Sequence, residues 1–204
     1  MVLTKELEKQ LNGLINTMHK YQNLKIFKIP NNFYGKSRFV LFLWRMVNYF
    51  FFKLSPDIMF NFRNFLLRLF GAKIGKNVLI RSSADIHYPW KLEIGDNSWI
   101  GYNTKIYNLG KVSIGNNVAI AHDVYICDSY HDITKTSFDI IFGEITIYDE
   151  AWVANDVFIG PNVTINKGCV IASRSSVYKN MPEGYVCKGN PCLPYKLRKE
   201  DLNQ

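Results

Sequence analysis

Ile74-Gly75-Lys76-Asn77-Val78, Ile94-Gly95-Asp96-Asn97-Ser98 and Ile114-Gly115-Asn116-Asn117-Val118 are one phrase, repeated every twenty residues. Within it a large aliphatic residue returns at every sixth position: Ile74, Ile80, Ile86; Ile94, Ile100, Ile106; Ile114, Ile120, Ile126; and later Ile147, Val153, Ile159, Ile165, Ile171 and Val177. A surface helix would set apolar residues three and four apart, and a half-buried strand would alternate strictly, so neither accounts for a period of six. The fifth hexad position is small or β-branched in most cases, as at Val78, Ala84, Thr104, Val118, Val124, Ala151, Val157, Val163 and Ser175. Both positions therefore look inward. Three hexads with two extra residues, Leu92-Glu93 or Val112-Ser113, complete a twenty-residue triangular coil. The spacing predicts an all-β fold, a parallel β-helix of hexapeptide repeats in which each coil buries its aliphatics on the next. Burial of each inward Ile or Val contributes roughly 1.5 to 3 kcal/mol, so about fifteen of them make an ample core.

The register breaks once. Ile114 to Ile147 spans thirty-three residues, thirteen more than the period, so an excursion leaves the third coil after about Asp132 and returns near Glu144. It carries Ser129-Tyr130-His131-Asp132 at its root and Ser137-Phe138-Asp139-Ile140-Ile141-Phe142 along its length. Loops on a rigid scaffold are where function concentrates. His131 stands where the ladder stops, able to face a cleft between loop and coil or one between neighbouring subunits. A neutral imidazole there can take a proton from an alcohol near pH 7. The other histidines read as surface groups, His87 and His122 at outward hexad positions and His19 in an amphipathic helix.

Charge is lopsided. Residues 1–70 hold eleven Lys and Arg against three Asp and Glu, a net of +8, while residues 71–204 hold fourteen against fourteen. The basic part reads as helical, with Leu3, Leu7, Leu11, Leu14, Ile15 and Met18 forming an apolar stripe. Ser55-Pro56-Asp57 predicts a helix start, Ser as cap and Pro at the first position, running to Gly71 with Ile58, Phe62, Phe65, Leu66 and Leu69 on one face. Phe39 to Leu54 is apolar but broken by Arg45, Asn48 and Lys53, too short and interrupted for a membrane span. The expected organisation is a helical region over 1–72, a β-helix over 73–186 with an inserted loop about 132–145, and a tail over 187–204. The first dozen residues are charged and polar, unlike a secretory signal. Cys127, Cys169, Cys187 and Cys192 lack the paired spacing of a structural zinc site. A reduced, cytoplasmic protein without a metal or a nucleic-acid partner is expected. Basic residues interleaved with Trp44, Tyr49, Phe50, Phe51 and Phe52 suit either a peripheral contact with the inner face of the membrane or packing over the open end of the β-helix.

Several stretches are more specific: Phe65-Leu66-Leu67-Arg68-Leu69-Phe70-Gly71-Ala72-Lys73-Ile74-Gly75, Tyr88-Pro89-Trp90-Lys91-Leu92, Tyr107-Asn108-Leu109-Gly110 and Arg174-Ser175-Ser176-Val177. With the hexads, they make the chain resemble the hexapeptide-repeat acyltransferases, which include maltose, galactoside and streptogramin acetyltransferases. It is most similar to the O-acetyltransferases of exopolysaccharide (colanic acid) biosynthesis. The resemblance runs from about Asn31 to Pro191, leaving roughly the first twenty-five residues as an addition. It implies left-handed winding, a homotrimer, and acetyl-CoA as co-substrate in the groove between two β-helices, with no permanently bound cofactor and no metal. His131 in Cys127-Asp128-Ser129-Tyr130-His131-Asp132 occupies the place of the family's catalytic base. Trp152 and Ala154 match the stretch lining the pantetheine groove, and Ala172 matches a position whose backbone contacts the coenzyme. Gly189-Asn190-Pro191 matches the closing motif, with Lys188, Asn190, Lys196 and Arg198 as further coenzyme candidates.

One departure concerns the acceptor. The maltose and galactoside enzymes carry Asn and Asp where this chain has Gly101 and Leu109, so Asn108 and Asp128 are the candidate substrate contacts here. The reading is acetyl-CoA-dependent O-acetylation of a sugar hydroxyl in a surface polysaccharide or its precursor, possible acceptors including lipid-linked ones. The rivals are an N-acyltransferase acting on an amino nucleotide-sugar, a non-catalytic β-helix scaffold, and a carbonic anhydrase of this fold, which needs three zinc-binding histidines.

Overall fold

The computed structural model describes residues 5–11 and 21–198. Short parallel strands stack in three faces. The first face is Lys73–Ile74, Leu92–Ile94, Lys111–Ile114, Glu144–Ile147 and Thr164–Ile165. The second is Leu79–Ile80, Trp99–Ile100, Ala119–Ile120, Trp152–Val153, Val170–Ile171 and Tyr185–Lys188, and the third is Asp85–Ile86, Lys105–Tyr107, Tyr125–Cys127, Phe158–Ile159 and Ser176–Val177. The hexad aliphatics pair with their own kind: Ile74, Ile94, Ile114, Ile147 and Ile165 form one inward ladder. Every hexad aliphatic and every small fifth-position residue named above is buried. This is the parallel β-helix expected.

The repeated Ile-Gly has a steric cause. A Cβ on Gly75 would lie 2.7 Å from the Asp96 backbone nitrogen, and one on Gly95 would lie 2.6 Å from the Gly115 carbonyl carbon. The coils approach so closely because the side chain of the next coil caps the one before: Asp96 accepts from the Lys76 N–H (2.7 Å), Asn116 from Asp96 (2.8 Å) and Asp149 from Asn116 (2.7 Å). The residue after each capped amide turns through the left-handed region, with φ of 54° at Asn77, 57° at Asn97 and 53° at Asn117. Asparagine tolerates that region better than other side chains.

N–H groups at the strand ends donate to the coil that follows, as from Gly75 to Ile94 and from Arg81 to Ile100, while the turn residues Asn97 and Asn117 donate back to Lys76 O and Asp96 O. At the first coil the carbonyls of Ile74, Val78, Ile80 and Ile86 have no preceding coil to pair with, and a buried unpaired carbonyl is costly. Side chains from two helices supply the donors. Helix α1 (Arg38–Val47) starts at Ser37, whose hydroxyl accepts the Val40 N–H, and continues into a wider turn at Asn48–Phe52. Helix α2 is Phe60–Leu69. Trp44 Nε1 donates to Ile86 O (2.8 Å), Arg63 Nε to Ile80 O (2.7 Å), Asn64 Nδ2 to Val78 O (2.8 Å) and Arg68 Nε to Ile74 O (3.0 Å). Trp44, Phe52, Leu66 and Leu67 continue the apolar core of the first coil. At the far end Leu193–Leu197 folds back antiparallel on Tyr185–Lys188.

Three expectations are corrected here. The helix expected from Ser55 begins instead at Phe60, because the Ser55 hydroxyl donates to Phe52 O and accepts from Arg63 and so cannot cap. Its buried face carries Arg63, Asn64, Leu66 and Leu67, while Ile58, Phe65 and Leu69 are exposed, since the carbonyl-rich end of the β-helix calls for donors. Residues 187 and 188 are not tail but the end of a strand paired with Val170–Ile171. In the N-terminal stripe, residues 5–11 are helical with Leu7 and Leu11 exposed, and Leu3, Leu14, Ile15, Met18 and His19 lie outside the described residues. No described helix is long and apolar enough to cross a membrane. By internal contacts the chain forms two compact units, Met1–Asn31 with Tyr130–Ile141, and Asn32–Ser129 with Phe142–Gln204.

Candidate active site

The excursion is a hairpin, Ser129–His131 paired with Ile140–Phe142. Its tip is braced internally: Asp132 N–H donates to Asp139 O (2.7 Å), and the Asp132 carboxylate accepts from the Thr134 N–H (3.0 Å). The segment before Asn31 joins the same unit, with Asn23 N–H donating to Thr136 O (2.7 Å). His131 is held within this unit. Its Nδ1 lies 2.7 Å from the Phe138 carbonyl oxygen. A carbonyl can only accept, so in the neutral ring Nδ1 carries the proton and Nε2 keeps the lone pair. The imidazole stacks on the Phe138 ring at 4.1 Å and 6°, with Phe27 tilted against it at 5.9 Å. Phe138 itself has φ 53°, a conformation that costs a bulky side chain energy and recurs at functional sites.

Phe138 and Phe27 are therefore part of the histidine's setting, and sequence reasoning gave neither that role. A left-handed Phe leaves no mark in composition or spacing. Phe27 falls in the stretch read as an addition. The remaining described histidines are tethered elsewhere. His87 Nε2 lies 3.3 Å from Asp85, which also pairs with Lys53 at 2.9 Å, and His122 Nδ1 accepts the Tyr102 N–H at 3.0 Å.

In the larger unit the coenzyme candidates divide into groups. Val153, Ile171 and Cys187 share one inward ladder, so the residues that follow them, Ala154, Ala172 and Lys188, line one corner of successive coils. Ala121 precedes them in that column, after Ile120. The corner is floored by small side chains and ends in a lysine whose Nζ sits 3.4 Å from the Tyr195 ring centroid. Ala154 and Ala172 N–H groups are spent on Ile171 O and Cys187 O (2.9 Å each). Trp152 stands half-exposed on the outer second face between Ala119 and Val170. Asn190 lies in the turn after this corner, preceding a cis Pro191, and Lys196 is on the returning strand opposite Val186.

Asn108 and Asp128 are corrected. Both are fully buried. Asn108 spends its amide on the backbone of Tyr88, accepting from N–H (3.1 Å) and donating to the carbonyl (2.9 Å). The Asp128 carboxylate accepts from the N–H groups of Leu109 and Gly110 (2.8 Å each). The extra residues between the third and first faces need side-chain partners, and these two supply them, so neither reaches an acceptor. Lys91 Nζ completes the corner by donating to Leu109 O and to Phe33 O.

Burial pushes the Asp128 carboxyl up to about 7, opposed by the Gly110 and Leu109 N–H groups and the Lys91 ammonium. Its folded value thus lies above the unfolded one of about 3.9. A group raised in this way favours the fold most below about pH 4 and loses that contribution as pH rises through about 7. The melting temperature is expected to rise as pH falls from about 8 to about 5, and Asp128→Asn to flatten that part of the profile. An unchanged profile in the variant would assign the pH dependence to other groups.

The fold and its inserted loop define a class by architecture: hexapeptide-repeat proteins built on a parallel β-helix. No protein-family model matches the sequence. A protein of Escherichia coli K12 named as the colanic acid biosynthesis acetyltransferase WcaF is 44% identical over 179 residues, covering 88% of this chain and 98% of that one. Galactoside O-acetyltransferase of the same organism is 31% identical over 134 residues, covering 64% and 66%. Among solved structures, a maltose O-acetyltransferase from Clostridium difficile 630 superposes with a TM-score of 0.74 at 25% identity, covering 80% and 90%. A hexapeptide-repeat acetyltransferase from Vibrio cholerae complexed with acetyl coenzyme A shares the fold, with a TM-score of 0.70 at 21% identity, covering 80% and 87%. The chain belongs to the hexapeptide-repeat acetyltransferases, among the relatives of colanic acid biosynthesis.

Proposed function

We propose that the protein transfers an acetyl group from acetyl-CoA to a hydroxyl of a sugar in a surface polysaccharide or its lipid-linked precursor, with His131 as general base. The observation that carries this is the 2.7 Å contact between His131 Nδ1 and the Phe138 carbonyl. It leaves Nε2 as the acceptor a hydroxyl needs. Nε2 takes the hydroxyl proton as the oxygen attacks the thioester carbonyl; the C–O bond forms, the C–S bond breaks, and the proton passes to the departing thiolate. No side-chain nucleophile takes part.

The corner of Ala121, Ala154 and Ala172 suits a slender pantetheine chain, with Trp152 beside it. Lys188 and Lys196 at its end suit the coenzyme phosphates, and Asn190 the turn around them. Acetyl-CoA is a cytoplasmic metabolite, so the proposal carries a cytoplasmic location. A homotrimer follows from the family resemblance, with each coenzyme groove completed by a neighbour. Light scattering is expected to give three times the 23.7 kDa chain mass; an active monomer would remove the shared groove.

Incubation with labelled acetyl-CoA and candidate glycans, followed by mass spectrometry, tests the reaction. Label that hydroxylamine releases from the glycan is an ester and supports it. Label that resists hydroxylamine marks an amide and the rival N-acyl transfer, and no labelled glycan from a panel including lipid-linked acceptors counts against both.

A further inference from the structure

Helix α1 is apolar on two sides. Leu41 and Trp44 are buried against the β-helix, whereas Phe39, Phe42, Leu43 and Met46, and Phe50 in the wider turn that follows, are exposed, Phe39 to 68% and Phe42 to 58%. Counted from Phe39, these five recur at three, four, seven and eleven residues, one helical stripe opposite the buried one. A helix that only caps a core needs one such stripe. A contiguous exposed apolar patch marks an interaction surface, and here exposed Phe51 and Leu54 extend it.

The charge beside the stripe says what it meets. From Asn32 to Pro56 the chain holds Lys36, Arg38, Arg45 and Lys53 and neither Asp nor Glu. Lys53 is spent on Asp85 at 2.9 Å. Lys36, Arg38 and Arg45 make no ion pair among the described residues, and Arg38 and Arg45, seven residues apart, stand on one edge of the stripe. We propose that this face docks the protein onto an anionic lipid surface, with Phe39, Phe42 and Met46 seated among the headgroups and Arg38 and Arg45 on the phosphates. The proposal does not depend on which acceptor is acetylated.

Length and charge favour this occupant over others. Ten residues at about 1.5 Å each reach roughly 15 Å, half the hydrocarbon thickness, so the helix lies in the interface and does not cross it. A second copy offering the same face would bring one cationic edge against another. Packing over the open end of the β-helix accounts for Trp44 and Phe52 but leaves the second stripe unused.

The test is flotation of the full chain with vesicles of zwitterionic lipid alone and with vesicles containing phosphatidylglycerol. Binding is expected only with the anionic lipid, weakening at high salt. Phe42→Asp, at an exposed position, is expected to lower the partition coefficient at least tenfold with an unchanged melting temperature. Arg38→Gln with Arg45→Gln is expected to lower it by about thirtyfold, each basic residue near such a surface counting for about fivefold. Absence of binding to anionic vesicles at low salt overturns the proposal. So does equal binding of Phe42→Asp, or equal binding to the two vesicle types. A light-scattering mass that falls in Phe42→Asp, with no vesicle binding by the parent, assigns the face to a second copy instead.

Discussion

Acetyl transfer by the His131→Ala variant is expected to fall about a hundredfold or more, with the melting temperature close to that of the parent, because a positioned base supplies roughly 10²- to 10⁴-fold. On the proposed reading the imidazole acts on the acceptor's proton and not on coenzyme affinity, so the loss should sit in kcat. Nδ1 is committed to the Phe138 carbonyl at 2.7 Å and the ring is clamped by Phe138 at 4.1 Å, so the side chain arrives with tautomer and orientation set. Phe138→Gly keeps the carbonyl and the left-handed turn but removes the clamp, and about a tenfold loss is expected from misorientation alone. His122→Ala, which frees the Tyr102 N–H and removes a ring contact with Tyr102, is expected to leave turnover nearly unchanged. Normal turnover by His131→Ala, with the chemical step limiting, would take the base away from this loop.

The coil architecture was legible because a period of six admits few solutions. Each hexad aliphatic is buried and paired with its counterpart in the next coil. Even the glycines had a readable cause after the fact, since Asp96, Asn116 and Asp149 each reach back to cap the coil before. What failed was the reading of side chains whose partners lie far away in sequence. Ser55 looked like a helix cap by propensity, yet Arg63 and Phe52 claim its hydroxyl. Asn108 and Asp128 looked like sugar contacts because the family's acceptor-holding Asn and Asp are Gly101 and Leu109 in this chain. They are polar because the amides of the irregular corner between the third and first faces need partners.

The site was half legible for a related reason. A break in a regular repeat announces where a loop must leave and puts His131 at its root, and the family resemblance gave that histidine the place of the base. Which nitrogen of His131 is left free depends on a carbonyl seven residues on and on the backbone of Phe138. Neither is written in residue type. Ala154 and Ala172 were named singly by the resemblance, and the strand pairing joins them with Ala121 into one small-residue corner.

Arg63→Ala is expected to lower the melting temperature by about 10 °C. Arg63 is fully buried in α2, and its guanidinium donates to Ile80 O (2.7 Å), Ser55 Oγ (2.8 Å), Pro56 O (2.8 Å) and Asp57 O (2.6 Å). Burial pulls its pKa down while the Asp57 carboxylate opposes that, and the cation is retained in a nest of acceptors. Truncation leaves Ile80 O, at the open end of the β-helix where no preceding coil can replace the donor, and Asp57 O without it, while Pro56 O keeps the Met59 N–H and the Ser55 hydroxyl keeps Phe52 O. A buried acceptor left unpaired costs about 1 to 3 kcal/mol. With partial relaxation and some water entry the net loss is about 4 kcal/mol, and a chain of this size loses roughly 2 to 4 °C per kcal/mol. Lysine at this position recovers little, since one ammonium cannot span acceptors arranged for a planar fork. Phe65→Ala, on the exposed face of the same helix, is the control and is expected to move the melting temperature by less than about 2 °C. An Arg63→Ala variant as stable as that control would mean that the first coil's carbonyls do not need the cap, and that the polar face of α2 is there for some other reason.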